Sequence, residues 1–431
     1  MLDLRLVREH PEIIRDMLTK RGVSFPLDEL LAKDAKRRQM LTEVQRLKHQ
    51  RNLLSLEIAQ AKREGKDVTE KMLAVKELSE KIDRLDSEAE ALDQEVSNLL
   101  KALPNIIHES VPIGRDESDN VVVRSWGEPK PFQTPPKDHI SLGLLLDILD
   151  IERAAKVAGS RFYYLKNDLV RLNYALICYA LDFLKQKGFT LLQPPYMLRR
   201  EAIEGTIIIS DFEDVIYKIE GENLYLIGTA EHAIAAMHMD EILDGSLLPL
   251  RYGGISPCFR KEAGAHGRDT KGIFRVHQFE KVEQFVFSKP EDSWREHEML
   301  IRNAEEFFQS LEIPYRVVLL CSGDLGKTSA KTYDLEAWFP AQNTYREVVS
   351  CSNCLDYQAR RLRIKYRDKP NEESKFVHTL NSTLVATERT LIAILENNQN
   401  EDNTINIPKV LRPYFGDEKL VLQNRVGLKS M

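Results

Sequence analysis

The sequence predicts an α+β protein in two parts: an N-terminal antiparallel two-helix coiled-coil domain, then a larger domain in which helices flank an antiparallel sheet. Three observations carry this. Apolar residues repeat with heptad spacing between Met40 and Leu99. A stretch rich in Pro, Asp and Ser (Pro112, Pro129, Pro131, Pro135, Pro136) then runs from about 105 to 140 and suits a linker. The remainder mixes helical and alternating patterns without strict strand–helix–strand order. We place the domain boundary after residue 108, giving 1–108 with its arm over about 30–102, and 109–431.

In chain order, residues 1–22 read as one short helix, with Leu6, Ile13, Ile14, Met17 and Leu18 at helical spacing and Gly22 as its stop. Met40, Val44, Leu47, Leu54, Ile58 and Ala61 follow heptad steps once Arg51 is allowed at one seam position. After a break at Glu64-Gly65-Lys66-Asp67 the seam resumes as Val75, Leu78, Ile82, Leu85, Ala89, Leu92, Val96 and Leu99, and Pro104 ends it. Two helices of about 30 residues, each roughly 45 Å long, thus form a hairpin. Its first helix carries Lys33, Lys36, Arg37, Arg38, Arg46, Lys48, Arg51, Lys62 and Arg63 against Asp34, Glu43 and Glu57, whereas the second is acidic. Such a pair can zip its charges together, serve as a dimerisation rod, or follow an RNA backbone. Further helices are expected at about 168–187, 291–311 and 383–399.

Composition narrows the function classes. With 61 basic and 67 acidic residues the net charge is -6, which argues against a general nucleic-acid binder, DNA included, but permits a basic surface on one element. No run approaches the roughly 20 apolar residues of a membrane span, and the charged start MLDLRLVREH is unlike a signal peptide, so a cytoplasmic protein is expected. Five cysteines in 431 residues suggest reduced thiols. The segment from Cys321 to Thr328 imitates a phosphate loop, but Cys321 stands where that loop needs glycine, so a coiled-coil ATPase is set aside. Cys351 and Cys354 have the spacing of half a zinc site without a second pair nearby, and are expected to be packed thiols. There is no HExxH, GxSxG or GxGxxG.

The chemistry concentrates in residues 251–287, which read as two strands joined by a polar loop. Alternation puts Arg275, His277, Phe279, Lys281 and Glu283 on one face of the second strand, and Arg260 and Glu262 share a face of the first. Arginine for phosphate, an aromatic ring for a base and carboxylates for amines describe a surface for a flat, anionic ligand.

The segment FRKEAGAHGRDTKGIFRVHQFEKVEQ resembles motif 2 of the class II aminoacyl-tRNA synthetases in its seryl form. Leu226–Glu231 resembles the serine-binding Thr-Ala-Glu loop, and AKTYDLEAWFP and REVVSCSNCLDYQARRL resemble the strands that hold ATP and metal. LNSTLVATERTLIAILENNQ resembles motif 3 with Arg389 its arginine, FTLLQPPYM resembles motif 1 with Pro195, and the N-terminal part resembles the family's tRNA-binding domain. The resemblance covers nearly the whole chain.

It implies a class II catalytic domain that activates L-serine with ATP to seryl-adenylate and transfers it to tRNA(Ser), leaving tRNA(Sec) open. Also implied are Mg²⁺ as cofactor and a homodimer through motif 1. Arg260 and Arg389 would be catalytic, holding the α- and γ-phosphates. Thr229, Ala230, Glu231, Arg260, Glu283, Asn381 and Thr383 would bind serine, with Glu231 on its ammonium and Glu283 on its hydroxyl, and Thr383 at the start of the motif 3 helix. Arg260, Lys261, Glu262, Arg275, Val276, Phe279, Glu347, Val348, Val349, Ser350 and Arg389 would bind ATP, with Phe279 stacked on adenine. Glu347 and Ser350 would hold Mg²⁺, and Arg37, Arg38, Lys48 and Arg51 would meet tRNA. The alternative from another class is a repurposed homologue that only binds RNA or modifies a carrier protein.

Overall fold

The computed structural model describes residues 1–208, 215–262, 269 and 271–422. The chain forms two compact units: residues 2–19 with 23–103, and Met1 and 20–22 with the chain from Pro104 onward.

The first unit is helical, with α1 (Leu4–Glu9), α2 (Pro11–Arg21), α3 (Leu27–Arg63) and α4 (Thr69–Ala102). The single helix expected over 1–22 is two helices, because Pro11 lacks the N–H that would continue α1 while its fixed φ suits the first position of a new helix. Val7, Ile14, Met17 and Leu18 are buried, whereas Ile13 is exposed. The helices α3 and α4 hold 37 and 34 residues and turn through Gly65 at φ +69°. Every expected seam residue is buried or half-buried, with Val44, Leu47, Ile82, Ala89 and Val96 the most enclosed. Ion pairs cross the hairpin at Lys33–Glu95, Arg37–Asp93, Lys48–Asp86 (2.8 Å) and Lys71–Glu57 (2.7 Å). Buried Asp34 also collects Arg8, Arg37 and Arg38. The charge asymmetry is therefore partly spent inside the hairpin, although exposed pairs of this kind contribute only about 0–1 kcal/mol each. Arg51 has no ion-pair partner among the described residues.

The second unit is built on an eight-stranded sheet: β1 (Val121–Trp126), β2 (Thr190–Leu192), β3 (Leu250–Phe259), β4 (Gln278–Ser288), β5 (Tyr315–Leu319), β6 (Lys331–Phe339), β7 (Thr344–Asn353) and β8 (His378–Ala386). Their order across the sheet is β1-β5-β6-β7-β8-β4-β3-β2. All neighbours are antiparallel except β2 against β3. The stretch expected as a linker contributes β1, which pairs with β5 from Val121↔Leu319 to Trp126↔Tyr315. Its valines are exposed, as a terminal strand allows, so no alternating burial signal marks it.

Among the helices of this unit are α5 (Asp168–Gln186), α6 (Ala230–Ala236), α7 (Ser293–Ser310), α8 (Tyr357–Leu362) and α9 (Thr387–Asn397). The last was expected from residue 383, but 383–386 remain in β8, held against β4 by pairs such as Thr383↔Glu283 and Ala386↔Lys281. One large core joins Leu169–Leu184 of α5, Leu300–Phe308 of α7 and Leu391–Leu395 of α9 with the inward side chains of the sheet. This leaves the middle strands rigid where they carry polar side chains. No helix among the described residues is long and apolar enough to cross a membrane.

Candidate active site

A cavity of about 340 Å³ opens over the middle of the sheet. Period-2 alternation on β4 turns Phe279, Lys281 and Glu283 into it and sends Val282 to the core. On β8, Asn381 and Thr383 line it, and Thr383 is the cross-strand partner of Glu283. Glu347 and Ser350, three residues apart on β7, would face opposite sides of a regular strand. A register shift opposite Leu335/Glu336 leaves Val348 without a pairing partner, so both reach the cavity and Val349 turns to the core. Arg260 and Glu262 follow the end of β3, and Arg275 and Val276 precede β4.

One end of the cavity is acidic. Thr229 caps α6 by accepting from the Glu231 N–H (3.2 Å), and Glu231 Oε1 accepts from Gln358 Nε2 (2.8 Å) and Asn381 Nδ2 (3.2 Å). Gln358 is itself fixed by the Thr379 hydroxyl (2.7 Å). The helix can approach this closely because the residue opposite Glu283 on β3 is Gly254, where a Cβ would meet Ile234 Cδ1 at 2.5 Å. Glu283 is 1% exposed. Its Oε2 pairs with the Lys281 ammonium yet receives no well-directed hydrogen bond among the described residues. Burial raises the carboxyls of both residues, Glu231 to about 7 with the Glu283 charge adding to the effect, whereas Lys281 works against the rise at Glu283.

The other end is basic. The Arg260 guanidinium lies 5.1 Å from the Phe279 ring centroid and its Nε donates to Gly228 O (3.3 Å). Arg275 pairs with Glu262 (3.0 Å). Arg346 and Arg389 both lie over the Phe274 ring, at 3.7 and 4.7 Å, and Arg389 reaches Glu347 at its carbonyl (3.0 Å) and carboxylate (3.3 Å). Burial opposes ionisation of Glu347, but Arg389 and Arg260 outweigh it and hold its carboxyl below the usual range. Neighbouring Asp334, on β6 opposite Ser350 of β7, is pushed well up by burial and by Glu347, and its Oδ1 has no hydrogen-bond partner among the described residues.

Residues 215–398 match the family model for the class II tRNA synthetase core domain (G, H, P, S and T), and residues 1–107 match the seryl-tRNA synthetase N-terminal domain. The serine–tRNA ligase of Nitrosopumilus maritimus is 57% identical over 97% of this chain and 100% of its own, and that of Pyrococcus horikoshii is 52% identical over 98% of each. The crystal structure of the Pyrococcus horikoshii seryl-tRNA synthetase complexed with ATP superposes with a TM-score of 0.93, covering 98% of this chain and 100% of that one. The cytoplasmic enzyme from Naegleria fowleri in complex with AMP, 41% identical, gives 0.87 over 98% and 99%. The chain belongs to the seryl-tRNA synthetase family. Its activity is the ligation of serine to tRNA.

Not every residue expected of a seryl-tRNA synthetase site reaches the cavity. Ala230 and Val349 are core residues, and Lys261 lies outside the lining, its backbone N–H donating to Val215 O (3.0 Å). His277 precedes the first residue of β4 and escapes the alternation, stacking on Phe162 and meeting the Tyr217 hydroxyl (3.0 Å). Of the expected motif 2 loop, 263–268 and 270 lie outside the described residues. Thr383 sits within β8 rather than at a helix start. Sequence reasoning missed Asp334, Gln358 and Glu388, although all three lie in segments that carried the family resemblance. It also missed Thr328, the last residue of the segment set aside as a phosphate-loop mimic, and Ser329 next to it, both of which line the cavity. The carbonyls of Leu325, Gly326 and Ser329 face the Arg21 guanidinium.

All five thiols are free, and four are buried. Burial raises Cys258 to about 11, Cys354 to about 12 and Cys351 further still. These are poor nucleophiles and poor metal ligands. Alkylation of the native protein at pH 8 should therefore label exposed Cys178 and spare the other four until the chain is unfolded. The Cys351→Ser/Cys354→Ser variant should keep its activity, and metal analysis should find no stoichiometric zinc; bound zinc lost with that double substitution would refute the packed-thiol reading.

Proposed function

We propose that this cavity joins serine to ATP, and the observation that carries the reading is its charge polarity: buried carboxylates at one end, arginines at the other. The serine ammonium pairs with Glu231, and its hydroxyl donates to Glu283 beside Thr383. The serine carboxylate and the α-phosphate meet at Arg260, which lies between the two ends. Adenine stacks on Phe279, with Glu262 and the Val276 backbone at its edge, and Arg389 takes the γ-phosphate. A serine carboxylate, ionised at any pH above roughly 3.5, needs no base, so the first step depends on alignment and charge neutralisation. A carboxylate oxygen bonds to the α-phosphorus as pyrophosphate leaves; a hydroxyl of the tRNA terminal adenosine then attacks the adenylate carbonyl, and AMP leaves.

The oxygens of Glu347 and Ser350, with the Oδ1 of Asp334 nearby and without a hydrogen-bond partner among the described residues, are hard donors that fit Mg²⁺. Bound there, the ion would offset phosphate charge. Cations along α3, Lys48 and Arg51 with Arg37 and Arg38, provide the tRNA contact. The cavity accepts any terminal adenosine delivered to it, that of tRNA(Sec) included, so the choice of tRNA rests elsewhere than on this chemistry. Exposed Leu191 and Met197 within motif 1 support a homodimer there. Free, reduced thiols agree with the cytoplasm.

Serine-dependent exchange of pyrophosphate into ATP tests the core of the reading; exchange that survives the loss of Arg260 and Arg389 would place activation outside this cavity. Glu283→Ala should lower kcat/KM for serine strongly and narrow the gap to alanine, because a polar site rejects an analogue that leaves its buried group unpaired by about 10⁴. Normal serine activation with alanine still excluded would remove Glu283 as the hydroxyl reader.

Because Glu231 sits near pH 7 when the pocket is empty, it takes up a proton as pH falls below 7 and loses its hold on the ammonium. The KM for serine should then rise, approaching about tenfold per pH unit for a one-proton linkage. Glu231→Gln should abolish this dependence; its persistence would place the titration on another group.

On the arm, Arg51→Gln should weaken tRNA binding and flatten the log–log salt dependence by up to about one unit, the signature of one lost phosphate contact. An unchanged slope would mean that Arg51 is merely solvated.

A further inference from the structure

We infer that Glu388 is a positioning residue that sets Phe279 and Arg389 as one unit. The strand ladder between β8 and β4 ends at Ala386↔Lys281, because the chain turns into α9 at Thr387. The next N–H of β4, that of Glu280, therefore has no strand acceptor on this side. On the other side its pair is Pro257 of β3.

The Glu388 carboxylate takes the acceptor's place. It is 2% exposed and accepts from the Glu280 N–H at both oxygens (3.1 and 3.3 Å). The Thr387 hydroxyl (3.0 Å) and the Tyr163 hydroxyl also donate to it. Its immediate sequence neighbour is Arg389, and Glu280 directly follows Phe279. The segment that supplies Tyr163 also grips the chain ahead of Phe279, where His277 N–H donates to Arg161 O (3.2 Å) and its ring stacks on Phe162 at 5.1 Å.

Three donors from three segments converge on one side chain, and no cation pairs with Glu388 among the described residues. Burial pushes the Glu388 carboxyl up to about 7, so above neutral pH it is a carboxylate that only accepts and satisfies them all, whereas an amide would turn N–H groups toward one donor or another. The cost of burying a carboxylate without a cation is thus offset by locking the start of β4 to the start of α9, which carry the ring and the guanidinium that face the nucleotide.

This inference rests on the proposed contacts of Phe279 with adenine and Arg389 with the γ-phosphate. Steady-state exchange assays on full-length Glu388→Gln, Phe279→Ala, Arg389→Ala and the double variants separate the two. Glu388→Gln should raise the KM for ATP about tenfold, as expected for losing hydrogen bonds to a charged group, and leave the KM for serine within about twofold. In the Phe279→Ala background its further effect should fall below about threefold, since coupled residues are not additive. Equal loss toward ATP and serine, or full additivity with both Phe279→Ala and Arg389→Ala, would overturn the inference. If those two variants themselves left ATP unaffected, the nucleotide contacts would be at fault instead. Tyr163→Phe, which removes one donor and keeps the carboxylate, covers the case in which Glu388→Gln does not fold. It should raise the KM for ATP by roughly threefold with serine unchanged, and no change there would equally count against the inference.

Discussion

The pocket is organised around a deficit of positive charge at one end. Glu231 and Glu283 share one water-poor region, where burial raises both and the Glu283 charge adds to the cost of ionising Glu231. Among the described residues Lys281 forms its ion pair with Glu283, and the side chains that hydrogen-bond Glu231 are the amides of Gln358 and Asn381, with the Lys281 and Arg260 charges acting on it from further off. Amides orient a carboxylate but bring no full charge to it. A ligand that brings an ammonium to Glu231 supplies what the fold withholds, and the gain is large because the electrostatics act in low dielectric. The opposite end shows the reverse imbalance, with Arg260, Arg275, Arg346 and Arg389 facing fewer carboxylates than their charge would take up. An amino acid and a nucleoside triphosphate laid end to end carry the complementary polarity.

Holding such a pattern requires a backbone that will not relax it. Lys281 and Glu283 come from β4 and Glu347 from β7, central strands paired on both sides, so moving one of these carboxylates from its neighbour means breaking ladder hydrogen bonds. Irregularities then place groups that regular strands could not. The shift at Val348 brings Glu347 and Ser350 to one side, a second shift between Thr383 and Val385 ends the alternation of β8 just before α9, and Gly254 admits α6 close enough for Glu231 to reach the floor.

What could be read from the sequence follows from how local its physical signal is. Heptads place α3, α4 and their turn to within a few residues, because each seam position repeats the same burial requirement. On β4, Phe279, Lys281 and Glu283 are recoverable by alternation for the same reason. The pattern fails at His277, before the ladder begins, and at Val349, where the shift at Val348 reverses the parity of the strand. It also fails at β1, whose exposed valines carry no alternation between proline-rich flanks. Glu388 and Asp334 were missed because their importance lies in donors, vacant ladder positions and carboxylates on other strands, which only the register brings together. The resemblance to motifs 2 and 3 supplied Arg260 and Arg389 without needing that register.

The arm obeys a different balance. Its enclosed seam cluster is small, centred on Val44, Leu47 and Ile82 with Leu78 and Leu85 beside it. Between Leu47 and Ile82, through the turn, no residue is fully buried. Arg51 occupies a seam position there, where a guanidinium packs less favourably than an aliphatic side chain and restricts register at some cost in stability. Ion pairs such as Lys71–Glu57 offset little of this in water. Local opening is therefore least costly toward the turn and increasingly costly toward Ala89 and Val96 near the other end of the hairpin. An element built this way can adjust its distal half to a curved polyanion at little energetic cost while its proximal half keeps the helices in register. The free charge of Arg51 lies in the half that can adjust.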